Sequence, residues 1–200
     1  MILLCCAVEA ELAFWRPRDG VEVLVTGVGP VEAASAVAER LAAGEYRLVV
    51  NAGIAGAFGG AATIGDGVVV SEERMELRLE NGETFSLPRG ERTVETARSD
   101  QRLVERMRSA GFAALRGVTV SRVTSSEATA LGLAQRLGAQ VESMEGFAVL
   151  RAAQRAGVAA IEVRGISNRC GARESSGWDF AAGIAGLRNV TAALLEICTP

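Results

Sequence analysis

The sequence predicts an α/β protein: a three-layer αβα sandwich around a central mixed, mostly parallel sheet. Three observations carry this. Short apolar runs at residues 2–8 and 48–50, and a mainly apolar one at 159–166, read as strands buried on both faces, which requires helices on each side of the sheet. Stretches with apolar residues at helical spacing lie between the strands, so the two element types alternate. Glycines or small polar clusters follow the strands, where open α/β sheets bind ligands. At 200 residues the chain has the length of one domain with a full core, and residues 1–200 are read as one.

In order, the first apolar run ends in Glu9-Ala10-Glu11. Two acids there suit a solvated loop or a helix start, where the dipole favours negative charge, and equally suit a polar site. Asp19-Gly20 signals a turn. A strand at 21–26 leads into Gly27-Val28-Gly29-Pro30 and a helix over 31–41, with Ala34, Val37, Ala38 and Leu41 on one face. Strand, glycine loop and helix is an anion-binding layout. The dinucleotide fingerprint nevertheless fails at its third position, which is Glu32.

The strand at 48–50 ends in Asn51-Ala52-Gly53-Ile54-Ala55-Gly56, whose glycines allow close approach by a ligand or by a packed helix. A strand at 67–71 precedes a hairpin at 75–87 around the Asn81-Gly82 turn. A helix over 100–110, capped by Ser99 or Asp100 and stopped by Gly111, leads to a strand at 117–123 that ends in Thr124-Ser125-Ser126-Glu127. A helix over 128–137 stops at Gly138. Residues 141–144 form a short strand whose Met144-Glu145-Gly146 runs into a helix, and the strand at 159–166 ends in Ser167-Asn168. A last helix covers 181–197, with Ile184, Leu187, Thr191, Leu194 and Cys198 as its stripe.

Composition narrows the function. Hydrophobic residues make up 49% and charged residues 22%, which excludes a disordered chain. A net charge of −3 with interspersed signs argues against nucleic acid. The absence of histidine removes His-based zinc sites and Ser-His or Cys-His nucleophile pairs, so neither metal nor cofactor is expected. Cys5 and Cys6 lie in an apolar run and read as buried reduced thiols. The N-terminus lacks a basic leader region, and no apolar run reaches membrane-spanning length, so a cytoplasmic protein with no membrane partner is expected.

Glu9/Glu11, Gly27/Gly29, Asn51/Gly53, Thr124/Ser125, Glu145 and Asn168 therefore converge on one sheet edge. Acids, an amide and backbone donors suit a neutral polar substrate such as a sugar diol.

The segments AVEAE, VTGVGPVEAA, VVNAGIAGAF, VESMEGFAV and VRGISN, in this order over nearly the whole chain, resemble the purine nucleoside phosphorylase and nucleosidase superfamily. Within it they look most like the futalosine hydrolases, with the methylthioadenosine/S-adenosylhomocysteine nucleosidases as near relatives. The resemblance implies an N-ribosyl hydrolase that releases hypoxanthine from futalosine in menaquinone biosynthesis, and a homo-oligomer, dimer or tetramer. It implies that Glu145 grips the ribose 2′- and 3′-hydroxyls, with Met144 lining the sugar, and that Glu11 positions the attacking water. Trp178 falls where an aromatic packs beside the nucleoside, Ser125 and Ser126 on a segment that contacts the base, and Gly29 and Gly53 on the substrate-side loops.

Two departures narrow this further. Where phosphorylases carry an Arg and a Ser for phosphate, this chain has Asn51 and Ile54. Its first-strand loop offers Glu9 and Glu11, which would repel phosphate. Asn168 replaces the aspartic acid of adenine-specific nucleosidases. One amide donor and one acceptor fit O6 and a protonated N7 of a 6-oxopurine. Arg164, Arg169 and Arg173 are candidates for an acidic substrate tail, or solvated surface residues. A nucleosidase of other specificity, a phosphorylase and a non-catalytic nucleoside binder are the alternatives.

Overall fold

The computed structural model describes residues 1–83, 87–91, 93–171 and 177–198. Eight strands, β1 (Ile2–Cys6), β2 (Val21–Val25), β3 (Leu48–Ala57), β4 (Gly67–Met75), β5 (Thr96–Arg98), β6 (Ala114–Thr119), β7 (Val141–Ser143) and β8 (Ala159–Arg169), form one sheet. β1 lies between β2 and β3, parallel to both. β3 pairs with β8 in parallel and, at its far end, with β7 in antiparallel. β8 pairs with β4, β4 with β6, and β6 with β7. The circuit β3-β8-β4-β6-β7 therefore closes into a five-stranded ring, from which β1/β2 and β5 extend. The mixed sheet between helical layers is the predicted architecture; the ring closure is not legible in the alternation of elements.

The five helices are α1 (Pro30–Ala43), α2 (Gln101–Ser109), α3 (Glu127–Leu137), α4 (Gly146–Arg155) and α5 (Phe180–Cys198). α1 and α4 cover one face, where Ala33, Val37, Phe147 and Leu150 pack on Leu3, Cys5 and Val49. α2 and α5 cover the other, where Val104, Met107, Leu187, Val190 and Leu194 pack on Leu4, Val50, Ile161 and Val163. Burial on both faces is what makes β1 apolar at every position. Asp100 caps α2 by accepting from the Leu103 amide at 3.0 Å, and Gly138 ends α3 in the left-handed conformation at φ 63°.

α5 lies unusually close to the sheet. A Cβ on Gly165 would run into the Gly183 carbonyl, and one on Gly67 would sit 2.5 Å from the Gly186 carbonyl. Contrary to the expectation that no apolar run is long enough, α5 has the length and composition of a membrane span. Its apolar stripe is instead spent on the sheet, with Leu187, Val190, Leu194 and Leu195 buried.

Besides a β4 that runs to Met75 instead of 71 and a β6 at Ala114–Thr119 instead of 117–123, three strand readings differ in ways that bear on the fold. β3 runs to Ala57, so Asn51, Gly53 and Gly56 lie inside a strand and not beyond its end. β8 likewise runs through Ser167 and Asn168 to Arg169. Each glycine weakens a strand, but β8 flanks β3 along its length and compensates with ladder bonds. The third concerns the hairpin. The Asn81-Gly82 turn forms, with the Gly82 amide donating to Leu79 O at 2.8 Å. β4 pairs in antiparallel with β8 and with β5, however, and β5 lies beyond the predicted 75–87 hairpin, whose residues 84–86 lie outside the described ones.

Candidate active site

Local sequence delivers four polar side chains to one end of the ring. After β1 the chain turns through a single helical turn, Glu9–Leu12, which leaves Glu9 exposed and buries Glu11. Three backbone amides hold the Glu11 carboxylate: Ala7 and Val8 donate to Oε2 at 2.9 and 3.3 Å, and Ile54 donates to Oε1 at 2.9 Å. Glu145 precedes α4, yet its side chain does not cap that helix. Its Oε1 accepts from the Gly29 amide at 2.9 Å, 116 positions away in sequence. Gly29 sits at φ 97°, a conformation that favours glycine, so this amide can turn toward Glu145.

Arg164 connects the two acids. It is fully enclosed: Nε donates to Glu162 Oε1 at 2.7 Å, Nη1 donates to Ile54 O at 3.3 Å and stands 4.0 Å from Glu145 Oε2, and Nη2 has no hydrogen-bond partner among the described residues. Gly53 makes room for this group, since a Cβ there would collide with Arg164 Nη1 and approach Glu11 Oε1 to 2.7 Å. The expectation of Arg164 as a tail contact or a solvated residue is therefore corrected. Arg169 is exposed, and Arg173 lies outside the described residues.

Beneath Arg164 lies a buried acid pair. Glu73 and Glu162 are both fully inaccessible, and their Oε1 and Oε2 atoms lie 2.5 and 2.6 Å from where a Gly146 Cβ would stand. Burial raises both pKa values, and the charge of Glu162 raises that of Glu73 further. Arg164, bonded directly to Glu162, favours its ionised form, so the upward shift is the greater for Glu73. Glu73 also anchors α4. Thr119 and Ser143 hydroxyls donate to it at 2.9 and 3.3 Å, and themselves accept from the Phe147 and Gly146 amides at 2.7 and 3.1 Å. The first turn of α4, and with it Glu145, is thus tied to the ring interior.

Asn168 stands at the other end of a cavity of about 210 Å³ that Glu11 and Glu145 also line. Its Oδ1 accepts from the Ser167 hydroxyl at 2.9 Å and its Nδ2 donates to Arg169 O at 3.1 Å. One N–H and one lone pair of the amide remain for a ligand. Trp178 forms a wall, positioned by the Asp179 amide, which donates to Ser167 O at 2.7 Å. The cavity thus has Glu11 and Glu145 toward one end, Asn168 and Glu142 toward the other and largely apolar sides (Val8, Val28, Ile54, Val123).

Of the residues predicted for the site, Glu11, Met144, Glu145, Asn168 and Trp178 line this cavity. Gly29 and Gly53 stand behind the wall, against Glu145, Arg164 and Glu11. Ser125 is exposed, and the Ser126 side chain caps α3 by accepting from the Thr129 amide at 3.2 Å. Their neighbour Val123 lines the cavity in their place. Sequence reading also passed over Glu142, a buried acid on the cavity wall. The available signal was an acid in a three-residue strand that is otherwise enclosed.

Comparison with known proteins agrees with this geometry. Residues 12–199 match the model of the phosphorylase superfamily. Futalosine hydrolase of Thermus thermophilus is 34% identical over 190 residues, 90% of this chain and 84% of the relative. That of Acidothermus cellulolyticus is 39% identical over 183 residues, 86% and 74% of the two chains. Among solved structures, 5′-methylthioadenosine/S-adenosylhomocysteine nucleosidase from Streptococcus pneumoniae, bound to a transition-state inhibitor, superposes with a TM-score of 0.83 at 16% identity over 99% of each chain. The Neisseria meningitidis nucleosidase gives 0.80 at 16% identity over 98% of each. At those identities the structures speak for the fold, while the closer sequences speak for kinship: the chain belongs to the phosphorylase superfamily and, within it, to the futalosine hydrolase family.

Proposed function

We infer that the protein is an N-ribosyl hydrolase that cleaves futalosine to hypoxanthine and dehypoxanthine futalosine, as a step of menaquinone biosynthesis. The observation that carries this reading is the arrangement of this cavity, with Glu11 and Glu145 at its proposed sugar end and Asn168 at its proposed base end. Glu145 accepts from the ribose 2′- and 3′-hydroxyls, bonds that strengthen as the ring gains oxocarbenium character. Glu11, immobilised by three amides, orients a water toward C1′ and takes up its proton as the C1′–N9 bond breaks. Asn168 donates to O6 and accepts from N7–H, the N7 proton coming from solvent.

Hydrolysis is favoured over phosphorolysis because the cationic centre at the sugar end, Arg164, is already paired with Glu162 and faced by Glu145 and Glu11. A phosphate would meet more negative charge than positive. The measurement that tests the reading is purine release from futalosine, its 6-amino analogue, inosine and methylthioadenosine, with and without phosphate. Phosphate-independent hypoxanthine release from futalosine is expected. Strict dependence on phosphate, or preference for methylthioadenosine, would overturn it.

Two further proposals concern the setting. The unpaired cysteines, three of them buried, fit a reducing compartment, and we place the enzyme in the cytoplasm. We also propose a homo-oligomer, dimer or tetramer. Val28, Val31 and Phe180 expose 54, 73 and 56% of their surface, and a mostly apolar depression of about 510 Å³ runs between α1 and α4 from Val31 to Phe147. A second copy would cover this face.

A further inference from the structure

The base end of the cavity holds an ionisable group that the reaction above does not use. Glu142 on β7 and Asn168 on β8 are both in register with Gly56 of β3, one on either side of it. Both side chains are buried and both residues line the cavity. Gly56 keeps the space over β3 clear: a Cβ there would stand 2.9 Å from Asn168 Nδ2 and 2.7 Å from Cys170 Sγ. Glu142 is close enough to that thiol for its charge to raise the thiol pKa. The acid and the amide thus share one small chamber with Cys170.

Glu142 is held in place rather than mobile. Its Oε1 accepts from the Thr124 amide at 3.0 Å and its Oε2 from the Thr124 hydroxyl. A carboxylate has about four acceptor positions, so two donors from one residue leave half of its capacity unused. Burial raises the pKa of this carboxyl, and the two Thr124 bonds work against that by favouring the charged form. Thr124 follows Val123, the cavity-lining residue of the segment after β6. Glu142 therefore braces the wall past which the base must lie.

We propose that Glu142 is a second base-reading residue, accepting the N1–H of a 6-oxopurine while Asn168 engages O6 and N7. The proposal rests on the futalosine reading above. Its chemistry separates the two purine classes more sharply than an amide alone. Hypoxanthine carries a proton on N1 and satisfies a buried carboxylate. Adenine presents an N1 lone pair there, so two acceptors would face each other without water, at the cost of an unsatisfied buried group. An amide carries both a donor and an acceptor, whereas the ionised Glu142 carboxylate only accepts.

Two measurements in one assay test this. With the wild-type enzyme, inhibition by free hypoxanthine is compared with that by 1-methylhypoxanthine and adenine, neither of which has an N1–H. Both should bind roughly 10- to 100-fold more weakly than hypoxanthine. In Glu142→Gln the amide can donate to N1, so the ratio of kcat/KM for futalosine over its 6-amino analogue should fall at least about tenfold. A merely structural carboxyl holding Thr124 would lower both substrates alike and leave the ratio unchanged. Flat results in both comparisons overturn the role of Glu142. If the variant fails to fold, the three free bases decide alone, equal binding overturning the role. A wild-type enzyme that releases no hypoxanthine from futalosine overturns the functional reading instead, which separates the two failures.

Discussion

Glu11 reaches its position by losing freedom, not by gaining reach. Three backbone amides from two segments hold its carboxylate, so it can orient a water without first being ordered itself, which is where positioning lowers a barrier. Glu11→Gln keeps the shape but loses the base. Turnover of futalosine should drop roughly 10²- to 10⁴-fold with KM nearly unchanged, because Glu145 still holds the ribose. Steady-state kinetics checks this; full activity in the variant would mean that another group activates the water. Residue by residue, the sequence was informative where a side chain ends a strand, as Glu145 does. It was misleading where exposure decides the matter, as for Ser126, spent on a helix cap, and Arg164, sealed beneath the site.

At the scale of elements, α4 is what binds the catalytic end to the core. Its first two amides reach Glu73 through the Ser143 and Thr119 hydroxyls, and Gly146 leaves just enough room for the Glu73–Glu162 pair. The pair sets a pH dependence whose sign can be worked out. Glu73 has a folded-state pKa raised well above its ordinary 4.5, so the folded protein keeps a proton that the unfolded chain has released. The stability this contributes is complete below about 4.5 and is lost as pH rises through the folded-state value. Glu73→Gln replaces the protonated acid with a neutral group of similar shape. Denaturant unfolding from about pH 5 to about pH 9 should show a shallower decline for the variant than for wild type. Parallel curves would place the proton elsewhere.

The whole molecule adds two things that no element contains. Closure of β3-β8-β4-β6-β7 brings β7 and β8 to opposite sides of Gly56, which is how Glu142 and Asn168, 26 positions apart, come to share a chamber (168 − 142 = 26). The exposed apolar surface of α1 and the cavity rim is where we propose that a second copy packs. Light scattering of the purified protein should give at least twice the chain's 20.8 kDa. Replacing Val31 with Arg should halve that mass or increase dissociation on dilution, and a wild-type monomer at all concentrations would refute the assembly.

The sequence by itself determined the layers, most of the alternation of strands and helices, the stop at Gly138, the choice of Ser99 or Asp100 as the cap of α2, and the acid and amide that line the cavity. These follow from local periodicity and from the chemistry of residues at strand ends, both carried by neighbouring positions. Only the tertiary structure decided that β3 and β8 continue past their glycines and polar residues, because ladder bonds from distant strands offset a local weakness. It alone placed Arg164 under the cavity and Glu73 beside Glu162, since which buried groups meet depends on the pairing of distant strands and not on neighbouring positions. It also put Glu142 beside Asn168, a neighbour that only the closing of the sheet supplies.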